Sequence, residues 1–120
     1  MATSVLAVGA VGLHFAGLIA FAASFGMAPF SGLAPALSSL AFLVGLLALG
    51  TMWLTSERSI VLVAFPLAVI PLAIALLAGF RSAPAEPAAE GGWFILHTAL
   101  SLLGLALLAW GFAAAALYLI

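Results

Sequence analysis

The sequence predicts an all-α integral membrane protein, an antiparallel bundle of four transmembrane helices that forms one domain over residues 1–120. Two observations carry this prediction. Hydrophobic residues make up 68% of the chain and charged residues only 4%, which is too little charge to cover a soluble domain. The apolar residues also form four runs, each at least as long as the ~20 residues that cross a bilayer core, and the fourth is longer.

The four apolar runs are expected to be helices, because backbone polar groups in lipid must be hydrogen-bonded within their own segment. Residues typical of turns and loops separate the runs: Pro29 lies in the first connection, Glu57 and Arg58 in the second, and proline, glycine and glutamate fill the third. The connections predict that successive helices run in opposite directions. The runs cover about Val5–Phe25, Ala34–Leu54, Ile60–Phe80 and Trp93–Ile120.

Small residues predict where these helices pack. Gly9, Gly12 and Gly17 in the first run, with Ala41 and Gly45 in the second, are expected to let helix backbones approach closely, as membrane helices prefer.

Composition excludes several classes of function. The formal net charge of −1 lacks the basic surface that nucleic acid requires, so no nucleic-acid partner is expected. With no cysteine, the chain cannot form disulfides, thiolate metal sites or a c-type haem attachment. The three acidic residues, Glu57, Glu86 and Glu90, all fall in connections, which leaves no catalytic triad and no carboxylate-bearing hydrolase site. We therefore expect no enzyme activity from this chain alone.

Two histidines, His14 and His97, are notable because each lies inside a long uncharged run. An imidazole is costly in hydrocarbon unless it has a partner, and neutral imidazole is also a common ligand of haem iron. His14 falls in the middle of the first run. Its partner is expected to be a backbone carbonyl, a metal, or a hydroxyl such as Ser38, Ser39 or Thr51. A plain hydrogen bond between helices explains His14 as well as a metal site does.

His97 lies one turn inside the fourth run, near its interfacial end. The spacing of Trp93, His97 and Ser101 places an aromatic ring, an imidazole and a hydroxyl on one helical face. Such a face suits the edge of a porphyrin, and it equally suits an interfacial tryptophan beside a hydrogen-bonded histidine. Arg81, in the preceding connection, is either an interfacial anchor or a partner for an anionic group such as a haem propionate. The residue pattern leaves both interpretations open.

Four pieces of the sequence together match the pattern of one family. The most specific is Trp93-Phe-Ile-Leu-His97-Thr-Ala-Leu-Ser101, a Trp-x-x-x-His entry into a long helix. The others are the apolar run that ends at His14, the Gly-x-x-Pro turn that begins at Gly26, and Ser-Glu-Arg-Ser before the third run. The chain from about Ala7 onward thus resembles the cytochrome c assembly proteins, in particular their HemX-like branch. It would correspond to about half of the family's helices.

The resemblance implies that the chain binds or presents haem in cytochrome c assembly or related haem handling, in the bacterial inner membrane. It implies that His97 is an outward-facing ligand of haem iron and that His14, at membrane depth, is a second candidate ligand. Trp93, Ser101 and Arg81 would complete the cofactor site. Besides the lipid bilayer, a second copy or a separate membrane partner is expected to supply further helices.

A small structural or scaffolding membrane subunit, whose histidines only pack, is the alternative. A transporter fragment is a third possibility, weakened because none of the four runs carries a charged residue.

Overall fold

The structure is a computed structural model that describes residues 2–55, 59–80 and 91–119. Over these ranges the chain is all-helical, and each helix is long and apolar enough to cross a membrane. The predicted number and type of elements are thus confirmed. The helices are α1 (Ala2–Phe25), α2 (Leu33–Thr55), α3 (Ile60–Ala78) and α4 (Gly92–Leu119).

Two helix ends differ from the prediction by more than one residue. α1 begins at Ala2, whereas the apolar run was expected to start it at Val5. α3 ends at Ala78 and not at Phe80, because Gly79 adopts a positive φ of 76° that leaves the helical conformation.

α2 is the central helix of the described part of the chain. It packs against α1, α3 and α4, and α3 also packs against α4. The backbone of α1 comes close to α2 alone. Helices α2, α3 and α4 therefore contact one another pairwise, and α1 is attached to this group through α2.

Alanine side chains dominate the buried core of the described residues. Ala75 in α3 and both Ala106 and Ala113 in α4 have no exposed surface, and Val44 and Ala48 in α2 are 1% exposed. Such small side chains let helix backbones approach closely, as they do in membrane helix bundles.

The close approach of α1 to α2 occurs at Gly45. A Cβ atom at this position would meet Cγ2 of Val11 at 3.5 Å, so α1 lies directly over it. In contrast, Gly9, Gly12 and Gly17 are exposed, and a Cβ atom there would meet nothing within 4 Å. The prediction that these three glycines pack against another helix is wrong, because none of them faces a neighbour among the described residues.

The connection between α1 and α2 is held by backbone and side-chain hydrogen bonds. Gly26 has a positive φ of 61°, and its N–H donates to the last turn of α1 at 2.9 Å. Ser39 Oγ donates to the carbonyl oxygen of Pro29 at 2.6 Å and so fastens the connection to α2. This arrangement places the first turns of α2, which include Ser38, beside α1.

Replacing Ala106 by Leu is expected to lower the free energy of unfolding by about 1–3 kcal/mol, because a fully buried alanine leaves no room for extra methyl groups. Thermal unfolding in detergent, followed by circular dichroism, measures the change. Ala114→Leu in the same helix is the matched control. Since Ala114 is exposed, its substitution should change the value by less than about 0.5 kcal/mol. Equal effects of the two substitutions would contradict the described packing of α4.

Candidate functional site

His14 is joined to the neighbouring helix by a hydrogen bond. It lies at the middle of α1, half-buried, and its Nε2 atom is 2.9 Å from Oγ of Ser38 in α2. Ser38 itself is 4% exposed. Of the partners expected for His14, a backbone carbonyl, a hydroxyl or a metal, the structure shows a hydroxyl, that of Ser38.

Two adjacent serines at the start of α2 have different partners. Ser38 Oγ bonds the His14 ring, whereas Ser39 Oγ donates to the carbonyl oxygen of Pro29. Consecutive residues of a helix point about 100° apart, so one serine faces α1 and the other faces the connection. The histidine ring and the entry into α2 are thus fixed by side chains one residue apart.

A groove lies beside the His14 ring, between α1 on one side and α2 and α3 on the other. It consists of two cavities that both include His14 and Leu72, one of about 470 Å³ and one of about 410 Å³. Their sizes fall within the range of small-molecule sites in proteins. The ring of Phe42 meets the His14 ring edge-on, with centroids 5.9 Å apart and an interplanar angle of 72°. Phe65 of α3 also lines the larger cavity.

His97 occupies a different environment on α4. The buried residues Leu102, Ala106 and Ala113 mark the inward face of this helix. With 3.6 residues per turn, His97 falls on the opposite, outward face, and its side chain is exposed. Trp93, one turn earlier on the same face, is 79% exposed. The structure therefore presents an imidazole and an indole together on the outer surface of α4.

Ser101 lies on the same face, but its hydroxyl already donates a hydrogen bond. Ser101 Oγ donates to the backbone carbonyl oxygen of His97 at 2.8 Å, a bond to the preceding helical turn. This bond satisfies the hydroxyl within α4. A role for Ser101 in polarising a bound cofactor stays a prediction.

The two histidines belong to separate regions. The backbone of α1 does not approach α4, and neither cavity beside His14 includes His97. No three His, Cys, Asp or Glu side chains cluster within residues 2–55, 59–80 and 91–119. Iron coordination by Nε2 of His14 would require its bond to Ser38 to break. That His14 is a haem ligand stays a prediction.

Every charged residue of the sequence lies outside the described ranges. The four described helices thus contain no charged side chain, apart from a histidine when it is protonated. Arg81, which was predicted to pair with a propionate, lies outside the described residues.

Comparison of the chain with protein-family models, with curated proteins and with solved structures finds no match. The class that the structure itself defines is an all-helical protein with four helices suited to span a membrane.

The aromatic walls of the groove were not predicted from the sequence. Phe42 follows Ser38 by four residues and so shares its face of α2, a spacing that was visible in the sequence. Phe65 could not be found in this way, because its position beside His14 depends on how α3 packs against α2.

Replacing Ser38 by Ala is expected to leave the His14 ring without its partner and to lower the free energy of unfolding by about 0.5–2 kcal/mol. A double-mutant cycle with His14→Phe isolates the bond, and the expected coupling is about 0.6–1.7 kcal/mol. Ser101→Ala serves as the control, since its hydroxyl bonds only within its own helix. Additive effects of Ser38→Ala and His14→Phe would show that the two side chains do not interact.

Proposed function

We propose that the chain is an integral membrane protein whose four helices cross the bilayer in alternating directions. Its outer surface supports this proposal, because large apolar side chains such as Leu54 and Leu77 are 88% exposed. Surfaces of this kind are stable in hydrocarbon and aggregate in water. The longest dimension of the chain is 46 Å, close to the ~40–45 Å thickness of a bilayer with its headgroups.

Loop lengths support the alternating directions. Residues 26–32 separate α1 from α2, and residues 56–59 separate α2 from α3. Extended chain covers at most about 3.6 Å per residue, so neither segment can return across a hydrocarbon core of about 30 Å. Each of these connections must join helix ends on the same side of the membrane.

We further propose that the protein binds or presents haem in cytochrome c assembly or related haem handling, in the bacterial inner membrane. The observation that carries this proposal is the exposed imidazole of His97 with the exposed indole of Trp93 one turn away. An accessible neutral imidazole fits one axial ligand of haem iron. Trp93 would pack against the flat face or edge of the macrocycle. An exposed ligand suits a group that is handed on to another protein.

An exposed site with one imidazole supplies only one of the two axial ligands of haem iron. A second copy of the chain or a separate membrane partner would supply the opposite ligand and cover the outer face of α4. This requirement agrees with the expectation from the sequence that a second copy or a separate membrane partner supplies further helices.

The alternative is a structural or scaffolding membrane subunit, and one observation favours it. The His14 ring is bonded to Ser38 between two helices, which is what a packing histidine does. His97 has no such bond in the described structure. The haem proposal expects His97 to bind iron, whereas the scaffold alternative expects it only to pack.

Cysteine labelling tests the membrane topology. Because the chain contains no cysteine, Ser31→Cys and Ser59→Cys each introduce a single reactive thiol. Ser31 lies between α1 and α2, and Ser59 lies at the start of α3. An impermeant maleimide added to one side of sealed vesicles should label one of these variants and not the other. Permeabilised vesicles, in which both variants should react, are the control, and labelling of both from one side would contradict the alternating arrangement.

Substitution of His97 tests haem binding. The parent protein, supplied with haem in detergent, is expected to show a Soret band that His97→Ala shifts, with affinity reduced by about tenfold or more. Trp93→Phe should perturb the band less, because it alters packing without removing the ligand. Thr98→Ala, the neighbouring position in α4, is the matched control. If His97→Ala binds haem with the spectrum and affinity of the parent, His97 is not a ligand and the scaffold alternative is favoured.

A further inference from the structure

The groove beside His14 differs in its lining from the exposed face of α4 that carries His97. Its two cavities meet at the His14 ring, so that one molecule lying in the groove would pass directly over this ring. The backbones of α1 and α3 do not approach each other, and the groove therefore occupies the gap between them. It extends from the middle of α1 to its last residue, Phe25, and so would run from the apolar centre of a membrane toward one interface.

The described walls of the groove are uncharged and almost entirely apolar. Their polar side chains are His14, Ser24 and Ser38, and only His14 contacts both cavities. Ser38 Oγ already bonds Nε2 of the ring. A neutral imidazole carries one N–H donor and one acceptor nitrogen. In the tautomer in which Nε2 accepts from the Ser38 hydroxyl, Nδ1 carries the proton and has a hydrogen to donate.

Aromatic rings line both halves of the groove. Phe42 meets the His14 ring edge-on, and Phe65 lies in the same cavity. In the smaller cavity, the Phe21 ring lies 4.8 Å from Phe25 and 6.0 Å from Phe80, measured between centroids. Aromatic walls favour a flat ring, which they contact by stacked or edge-on packing.

We propose that this groove binds a neutral, lipophilic ring compound that carries carbonyl oxygens and an apolar tail, the class to which membrane quinones belong. His14 Nδ1 donates a hydrogen bond to one carbonyl oxygen, and the aromatic and aliphatic walls hold the ring and the tail. The proposal rests on the membrane location under the proposed function but not on haem binding, because His97 lies outside the groove.

Charge and hydrogen bonding select this class over two others. A haem carries two propionates, and no cationic side chain lines the described walls to pair with them. A plain acyl chain is neutral, but it would cover the second ring nitrogen without giving it a partner. A neutral ring with a carbonyl acceptor meets both conditions.

The test uses the full chain in phospholipid nanodiscs and a benzoquinone with a decyl tail and ¹³C-labelled carbonyl groups. Binding is measured by equilibrium dialysis against empty nanodiscs, and the carbonyl stretch by isotope-edited infrared difference spectroscopy. The parent should bind the probe above the empty discs and lower the stretching frequency of one carbonyl. His14→Phe keeps an aromatic ring but removes the donor, so it should weaken binding by about tenfold and abolish the frequency shift.

A second pair of variants leaves His14 and Ser38 intact. Ala68 of α3 lines the larger cavity, and Ala68→Leu should reduce binding by filling it. Ala73→Leu adds the same volume at an exposed position of α3 and should bind the probe like the parent. This pair keeps the test valid even if His14→Phe does not fold.

Three results would overturn the proposal. The first is parent binding no greater than that of empty nanodiscs. The second is an unchanged carbonyl frequency and affinity in a folded His14→Phe variant. The third is displacement of the probe by haem in a His97→Ala background, which would assign the groove to haem. Failure of haem binding at His97 with normal quinone binding would overturn only the proposed function.

Discussion

Close packing against α2 is the constraint on which the rest of the structure depends. None of the four helices has a polar face that would orient it, so the pattern of side-chain size decides which surfaces meet. α2 offers small or branched residues along one buried face, such as Ala41, Val44 and Ala48, each at most 2% exposed. Because α2 contacts all three other helices, loss of its packing surface would release each of them.

The position of α1 follows from this constraint and creates the site. α1 lies on α2 at Gly45 and is bonded to it through His14 and Ser38, but its backbone stays away from α3. The gap left between α1 and α3 is the groove. The imidazole of His14 is thus held by a hydrogen bond inside the protein, whereas that of His97 lies free on the outer face of α4. The two histidines are thus held in two different environments by their helices.

Much of the fold could be predicted from sequence, because four apolar runs of sufficient length allow only helices in lipid. That His14 needs a partner could also be predicted, and Ser38 was one of three hydroxyls named, but the sequence did not choose among these hydroxyls, a backbone carbonyl and a metal. The faces through which the helices pack could not be predicted from the sequence. The helices are apolar all round, so periodicity could not distinguish buried Ala106 from exposed Gly12. The groove depends on the spacing of three helices, which no local pattern encodes.

Paired cysteines test most directly whether the backbone of α1 lies against α2 and away from α3. The native chain has no cysteine, so each pair reports without background. Val11 and Gly45 lie in contact across α1 and α2, whereas Leu13 and Val69 line opposite walls of the groove. In native membranes under mild oxidation, the account predicts rapid disulfide formation by Val11→Cys with Gly45→Cys and little by Leu13→Cys with Val69→Cys. Equal rates for the two pairs, or a faster reaction across the groove, would contradict it.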